Sequence, residues 1–174
     1  MKNRVIDHGH CLALALRRRD GGELFALISS SDLGKVESLP SYWAASFNRA
    51  TGRFRVQGLL RREGLKKITV FLHRFILDAP PAVQVDHINH DELDNRRENI
   101  RLVTQSINLQ NRAGAERRSR SGVRNVHWDE RRNKWAVFIK IDRRSLFIGR
   151  FDSLEDAKDA ARTARMSRMP GATN

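Results

Sequence analysis

The sequence predicts a modular α+β protein, and three observations carry that expectation. Short apolar runs separated by turn residues fill residues 1–78; a strand–loop–strand–helix pattern follows over 79–111; and residues 122–174 combine three strand-like runs with one alanine-rich helix. At 174 residues with 40% hydrophobic content, the chain suits a few small cores better than one large one.

Apolar runs at residues 11–16, 23–28, 42–47, 54–60 and 68–72 are separated by Asp20-Gly21-Gly22, Asp32-Leu33-Gly34 and Thr51-Gly52, which reads as a β-rich meander. Residues 72–77 turn into a short helix, and Pro80-Pro81 then breaks regular structure, placing a module boundary after residue 78. Next come a strand over 82–88, a polar loop over 89–99, a strand over 100–103 and a helix from Gln105 to about Arg112. Residues 112–121, with Arg117, Arg118 and Arg120, are basic and lack apolar periodicity, as expected of an arm able to lie along a DNA groove.

The last module reads as strands at 124–128, 134–141 and 145–151, joined by Arg131-Arg132-Asn133 and Asp142-Arg143-Arg144. Ser153, with Asp156 three residues on, forms a helix-start signal. The helix runs to about Arg168 and carries the stripe Leu154, Ala157, Ala160, Ala161 and Ala164.

A formal charge of +13 draws polyanions by counterion release, so nucleic acid is the expected partner. The charge is uneven: 14 Lys and Arg against 7 acids over residues 1–78, 3 against 5 over 79–111, and 16 against 8 over 112–174. An acidic stretch between basic ones suits a cation site flanked by grips on a phosphate backbone. The apolar run near the start is far too short to span a membrane, and Cys11 is the sole cysteine, so neither a membrane nor a disulfide partner is expected. The chain reads as intracellular, in the cytoplasm of a prokaryotic or phage-infected cell.

The chemistry concentrates in Val85-Asp86-His87-Ile88, the stretch Leu93-Asp94-Asn95-Arg96-Arg97-Glu98-Asn99, and Asn108. Asp86 offers a hard oxygen ligand, His87 a base that is neutral near pH 7, and Asn108 a side-chain carbonyl. Neighbours on a strand point to opposite faces, so Asp86 and His87 need different tasks. The plain alternative is a turn pair with loop and cap asparagines.

These residues resemble the HNH, or ββα-metal, nuclease motif, most closely its phage and intron-encoded homing branch. The resemblance spans residues 85–111. It implies that His87 is the general base and that Asn99, twelve residues on, fixes the loop. Asp86 and Asn108 would hold one divalent ion, magnesium or manganese, with Asn111 as the alternative helical ligand. The implied activity is hydrolysis of double-stranded DNA to 5′-phosphate and 3′-hydroxyl ends. One such site cuts one strand, so a monomer nicks, and a dimer, possible but not required, cuts both. The rival is a DNA-binding regulator whose nuclease fold is catalytically silent. His90 stands where relatives often have glycine, and is read as solvent-facing polarity in preference to a phosphate contact or a group behind the ligands. His73-Arg74 also resembles a pair common in the homing branch, with packing under the site and phosphate contact both open.

Residues 122–168 resemble the plant ethylene-response-factor (APETALA-type) DNA-binding domain through Val123-Arg124-Asn125-Val126, Lys134-Trp135 and Ile148-Gly149-Arg150-Phe151-Asp152. That resemblance implies a three-stranded sheet facing the major groove with a helix behind it. Trp135, Val137, Ile139 and Ile141 would then face the helix, and Ala136, Phe138 and Lys140 the DNA. Arg124, Arg131, Arg132, Lys134, Lys140 and Arg144 are the expected DNA contacts, with Arg117, Arg118 and Arg120 on the arm. Phe138 and Phe147 depart from the plant pattern, so no target sequence carries over. In the first module, Arg17-Arg18-Arg19, Arg53, Arg55, Arg61, Arg62, Lys66 and Lys67 are expected to grip DNA as well.

Overall fold

The computed structural model describes residues 3–18, 21–60, 66–112, 114–115 and 119–172. Arg19, Arg61, Arg62, Arg117 and Arg118, all expected DNA contacts, lie outside the described residues. The fold mixes α and β, mostly sheet with a few helices, in two compact units, Met1–Val103 and Thr104–Asn174.

In the first unit, β1 (Val5–Asp7), β2 (Leu12–Arg17) and β3 (Glu23–Ile28) form an antiparallel ladder. Leu12 to Leu16 are all buried, which explains a continuous apolar run where a half-exposed strand alternates. A 3-10 turn (Ser30–Asp32) and α1 (Leu33–Glu37) follow, where the sequence predicts only a turn. A helix of one turn is too short to show a 3.6-residue period. It is held by tertiary contacts: Val36 is fully buried, and its carbonyl accepts from Trp43 Nε1 at 3.1 Å.

A second antiparallel sheet comprises β4 (Ala44–Asn48), β5 (Arg53–Leu60) and β6 (Ile68–Phe71), followed at once by α2 (Leu72–Ile76). Arg74 on α2 donates to the carbonyls of Ala79 at 3.2 Å, Pro80 at 2.6 Å and Val83 at 2.8 Å, clamping the proline turn. β7 (Gln84–His87) then pairs antiparallel with β9 (Ile100–Val103). The intervening loop is not wholly irregular, because β8 (Asp94–Asn95) adds to β3 in parallel, with Leu27 opposite Asp94 and Ile28 opposite Asn95.

That pairing ties the segment after residue 78 to the first sheet, and the two units part between Val103 and Thr104. Arg97 strengthens the tie by gripping the buried Asp32 through Nε at 3.0 Å and Nη2 at 2.6 Å. One core accordingly joins Leu14, Leu16, Ile28, Val36, Trp43, Val56, Leu72, Ile76 and Ile100.

The second unit opens with α3 (Gln105–Gln110), capped by the Thr104 side chain on the Ile107 N–H. β10 (Val126–Asp129), β11 (Lys134–Ile141) and β12 (Arg144–Phe151) form an antiparallel sheet. The β11–β12 turn holds Asp142 and Arg143 at φ of 47° and 65°, the left-handed pair that a two-residue hairpin requires. Ser153 caps α4 (Leu154–Arg168) by accepting from the Glu155 and Asp156 N–H groups. Ala157, Ala161 and Ala164 are buried, and these small side chains let α4 lie close on Val126, Val137 and Ile139. Among the described residues no helix is long and apolar enough to cross a membrane, and Cys11 is buried with no disulfide.

Gly58 packs closely against the first core. A Cβ there would strike Leu39 and sit 3.1 Å from the Trp43 ring. Gly58→Ala should therefore destabilise the protein by about 1–3 kcal/mol. Thermal unfolding followed by circular dichroism checks this, and an unchanged midpoint would show that Trp43 moves aside freely.

Candidate active site

Asp86 and His87 are adjacent on β7 and both buried, 7% and 8% exposed. Antiparallel register sets Asp86 opposite Arg101 and His87 opposite Ile100. Arg101 uses the first pairing: Nε at 2.9 Å and Nη2 at 2.8 Å both donate to Asp86 Oδ2. The acid is thus held by a cation across the hairpin.

Asn99 pins the loop. Its Oδ1 accepts from the Asn89 N–H at 2.9 Å, its Nδ2 donates to the Asp94 carbonyl at 2.7 Å, and its own carbonyl accepts from the Ile88 N–H at 2.8 Å. Asp94 binds Arg96 through Nε at 2.8 Å and Nη2 at 2.7 Å and accepts from Asn89 Nδ2 at 3.0 Å. His90 closes the turn after His87 at φ 64°, a conformation that favours glycine, and its N–H reaches the His87 carbonyl at 3.0 Å. It is a turn residue, and its carbonyl accepts from Arg53 Nη1 at 2.5 Å.

His87 Nε2 lies 3.3 Å from Oδ1 of Asn95, which is fully buried. On its other side the His73 ring meets it edge-on, centroids 5.0 Å apart at 83°. His73 is in turn stacked on Phe71 at 5.9 Å, and the Arg55 guanidinium lies 4.5 Å over that Phe71 ring. Packing therefore describes His73 in this structure, while Arg74 serves the proline turn. Burial pushes the His87 imidazole below the ordinary histidine range, against the Asn95 hydrogen bond and the charges of Glu92, Asp86 and Asp91. The result is a ring that is neutral near pH 7, as proton acceptance requires. His73 is pushed further, to about 3, by burial first and then by His87, Arg74 and Arg55.

Asn108 and Asn111 belong to the second unit, the first half-buried on α3 and the second a buried cap at its end. Asp86, His87 and Asn99 share the first unit. Among the described residues no group of three or more His, Cys, Asp and Glu side chains is placed to hold a metal. The Asp86 carboxylate is a hard oxygen donor of the kind magnesium or manganese takes.

The expected DNA contacts of the second unit divide into classes. Arg131, Lys140 and Arg144 are exposed. Lys134 pairs with Asp152 at 3.0 Å, Arg132 with Asp129 at 3.4 Å and Arg120 with Glu130 at 3.0 Å. The Arg124 guanidinium caps α3, with Nη1 on the carbonyls of Gln110 at 3.0 Å and Arg112 at 2.5 Å and Nη2 on Leu109 at 3.1 Å. A helix end leaves carbonyls unsatisfied, and a nearby arginine meets that demand first. The sheet face away from α4 carries Phe138 against Phe147 at 5.2 Å, with Arg150 4.7 Å over Phe147. Ala136, expected on the DNA side, is buried. In the first unit Arg18 lies over Phe54 at 5.0 Å.

Sequence reasoning missed Asn95, Arg101 and the Arg97–Asp32 pair. Arg101 was accessible through hairpin register, since opposite charges facing across strands attract. Asn95 carries no local signal that separates it from a turn residue.

Residues 78–110 match a family model described as HNH endonuclease. No curated protein matches the chain. No solved structure matches it either. The family match supports nuclease activity for that segment.

A histidine held neutral by burial makes stability depend on acid. Below the unfolded value of about 6.5 the unfolded chain takes a proton that folded His73 refuses until about 3. Its contribution is complete above that upper value and is lost as pH falls, at up to about 1.4 kcal/mol per pH unit. Urea unfolding in EDTA between about pH 7 and about pH 5 should show a shallower decline in His73→Phe than in the wild type. Equal slopes would mean that His73 protonates freely in the fold.

Proposed function

We propose that the chain is a metal-dependent, homing-type DNA endonuclease that hydrolyses phosphodiester bonds to 5′-phosphate and 3′-hydroxyl ends. The observation that carries this reading is the pairing of a buried, neutral His87 with an Arg101-held Asp86 on one strand, inside the segment that matches an HNH endonuclease model. Buried polar groups of this kind cost stability and are kept where chemistry uses them.

In this reading His87 accepts the proton of the attacking water. Asn99 and Asp94 keep the loop from collapsing onto the base. Asp86 and Asn108, with Asn111 as the alternative, are the proposed ligands of one magnesium or manganese ion, Asn108 on the spacing of the motif. That ion supplies charge neutralisation at the scissile phosphate and the leaving oxygen. Arg101 orients the Asp86 carboxylate through its two hydrogen bonds to Oδ2. Arg131, Lys140 and Arg144 are the proposed DNA contacts of an APETALA-like sheet. Arg120 and Lys134 would join them by exchanging exposed carboxylate partners for phosphates at little cost, and Arg132 by leaving the half-buried Asp129, which keeps Arg150.

Conversion of supercoiled plasmid in magnesium, but not in EDTA, tests the activity and separates it from a silent DNA-binding regulator. His87→Ala should lower the cleavage rate by about 10²–10⁴ while leaving DNA affinity nearly intact, because a base acts mainly in the transition state. Equal losses of binding and cutting would assign His87 a structural role.

The helical ligand is tested by magnesium titration. Asn108→Ala should raise the magnesium concentration needed for cleavage and leave the fold intact, since water can replace a neutral carbonyl ligand. If only Asn111→Ala raises it, the ligand is Asn111.

A further inference from the structure

We propose that Asn95 is a positioning residue that sets the tautomer of His87, making Nδ1 the nitrogen that accepts the proton. The inference rests on the nuclease reading for its consequence but not for its geometry.

Two hydrogen-bond distances decide the orientation of the Asn95 amide. Nδ2 donates to the carbonyls of Glu92 at 3.3 Å and Leu93 at 3.1 Å. Turning the amide over would press its oxygen against two carbonyl oxygens, so Oδ1 is the atom that faces His87. An amide oxygen only accepts. The His87 Nε2, 3.3 Å away, must therefore carry the hydrogen. A neutral imidazole has one N–H, which leaves the lone pair on Nδ1.

The holder is itself held. Asn95 is fully buried and sits on β8, whose pairing opposite Ile28 of β3 fixes its backbone to the core sheet. His73, edge-on to His87 at 5.0 Å, restricts rotation of the ring about its bond to Cβ. The opposite tautomer would set the Nε2 lone pair against the amide oxygen and leave a buried acceptor unpaired. Asn95 thus does for His87 what a buried hydrogen-bond acceptor does for other catalytic histidines, with a neutral amide that adds no charge to the base.

The test is nitrogen-15 NMR of histidine-labelled full-length protein near neutral pH, with the His87 signal identified by its loss in His87→Gln. Wild type should show a protonated Nε2 and a bare Nδ1. In Asn95→Ala the signal should move to a mixture of tautomers, and kcat for plasmid cleavage should fall about 10–100-fold with KM unchanged. A protonated Nδ1 in wild type overturns the proposal, and so does an Asn95→Ala protein that keeps both the tautomer and the rate. Should that variant fail to fold, the wild-type spectrum decides alone. A wild type that shows the expected tautomer but cuts no DNA would instead defeat the nuclease reading, so the two failures are distinguishable.

Discussion

Burying polar side chains costs free energy unless each finds a partner, and the loop between β7 and β9 buries Asp94, Asn95 and Asn99. Each is satisfied, largely by its neighbours in the loop: Asp94 by Arg96 and Asn89, Asn95 by His87 and two carbonyls, Asn99 by Asn89 and Asp94. With almost no regular backbone pairing, this web takes the place of a ladder. It also explains the density of Asn, Asp and Arg over a short stretch. Apolar residues would bury more cheaply but would leave the loop's backbone groups without partners.

Much of the fold was legible because its signals are local. The β11 limits match the expected strand over residues 134–141, and α4 ends at Arg168, since alternation, a serine cap and an alanine stripe all act within a few residues. The candidate site was legible as a list of residues and their spacing. Its connections were not. Arg97 reaches Asp32 across 65 positions, and β8 pairs in parallel with a strand made much earlier in the chain. Such contacts are set by tertiary packing, for which no local pattern exists. Arg124 illustrates the same limit, because its cap on the end of α3 has no local sequence pattern.

The division of the chain between Val103 and Thr104 also changes how the motif is understood. As a pattern it is continuous, yet its last proposed ligand rides on a helix that belongs with the C-terminal sheet. Arg124 holds the end of that helix, and Gln110 Oε1 accepts from the Gly171 N–H at 3.1 Å. The last proposed ligand and the residues proposed to touch DNA therefore share a structural unit, and the end of α3 is held by groups that lie after it in sequence.

The parallel pairing of β8 with β3 has a consequence for synthesis on the ribosome. The β1–β3 ladder contains only near-neighbour contacts and can form as soon as it emerges, whereas residues 94–97 gain their long-range partners only on meeting Ser29, Asp32, Leu27 and Ile28. The scaffold is thus ready before the segment that needs it. The closure cost of so long a loop grows only with the logarithm of its length, about 0.6 kcal/mol for each doubling. The ring of His87 therefore meets Asn95 late in the life of the nascent chain, after the surrounding sheet is in place.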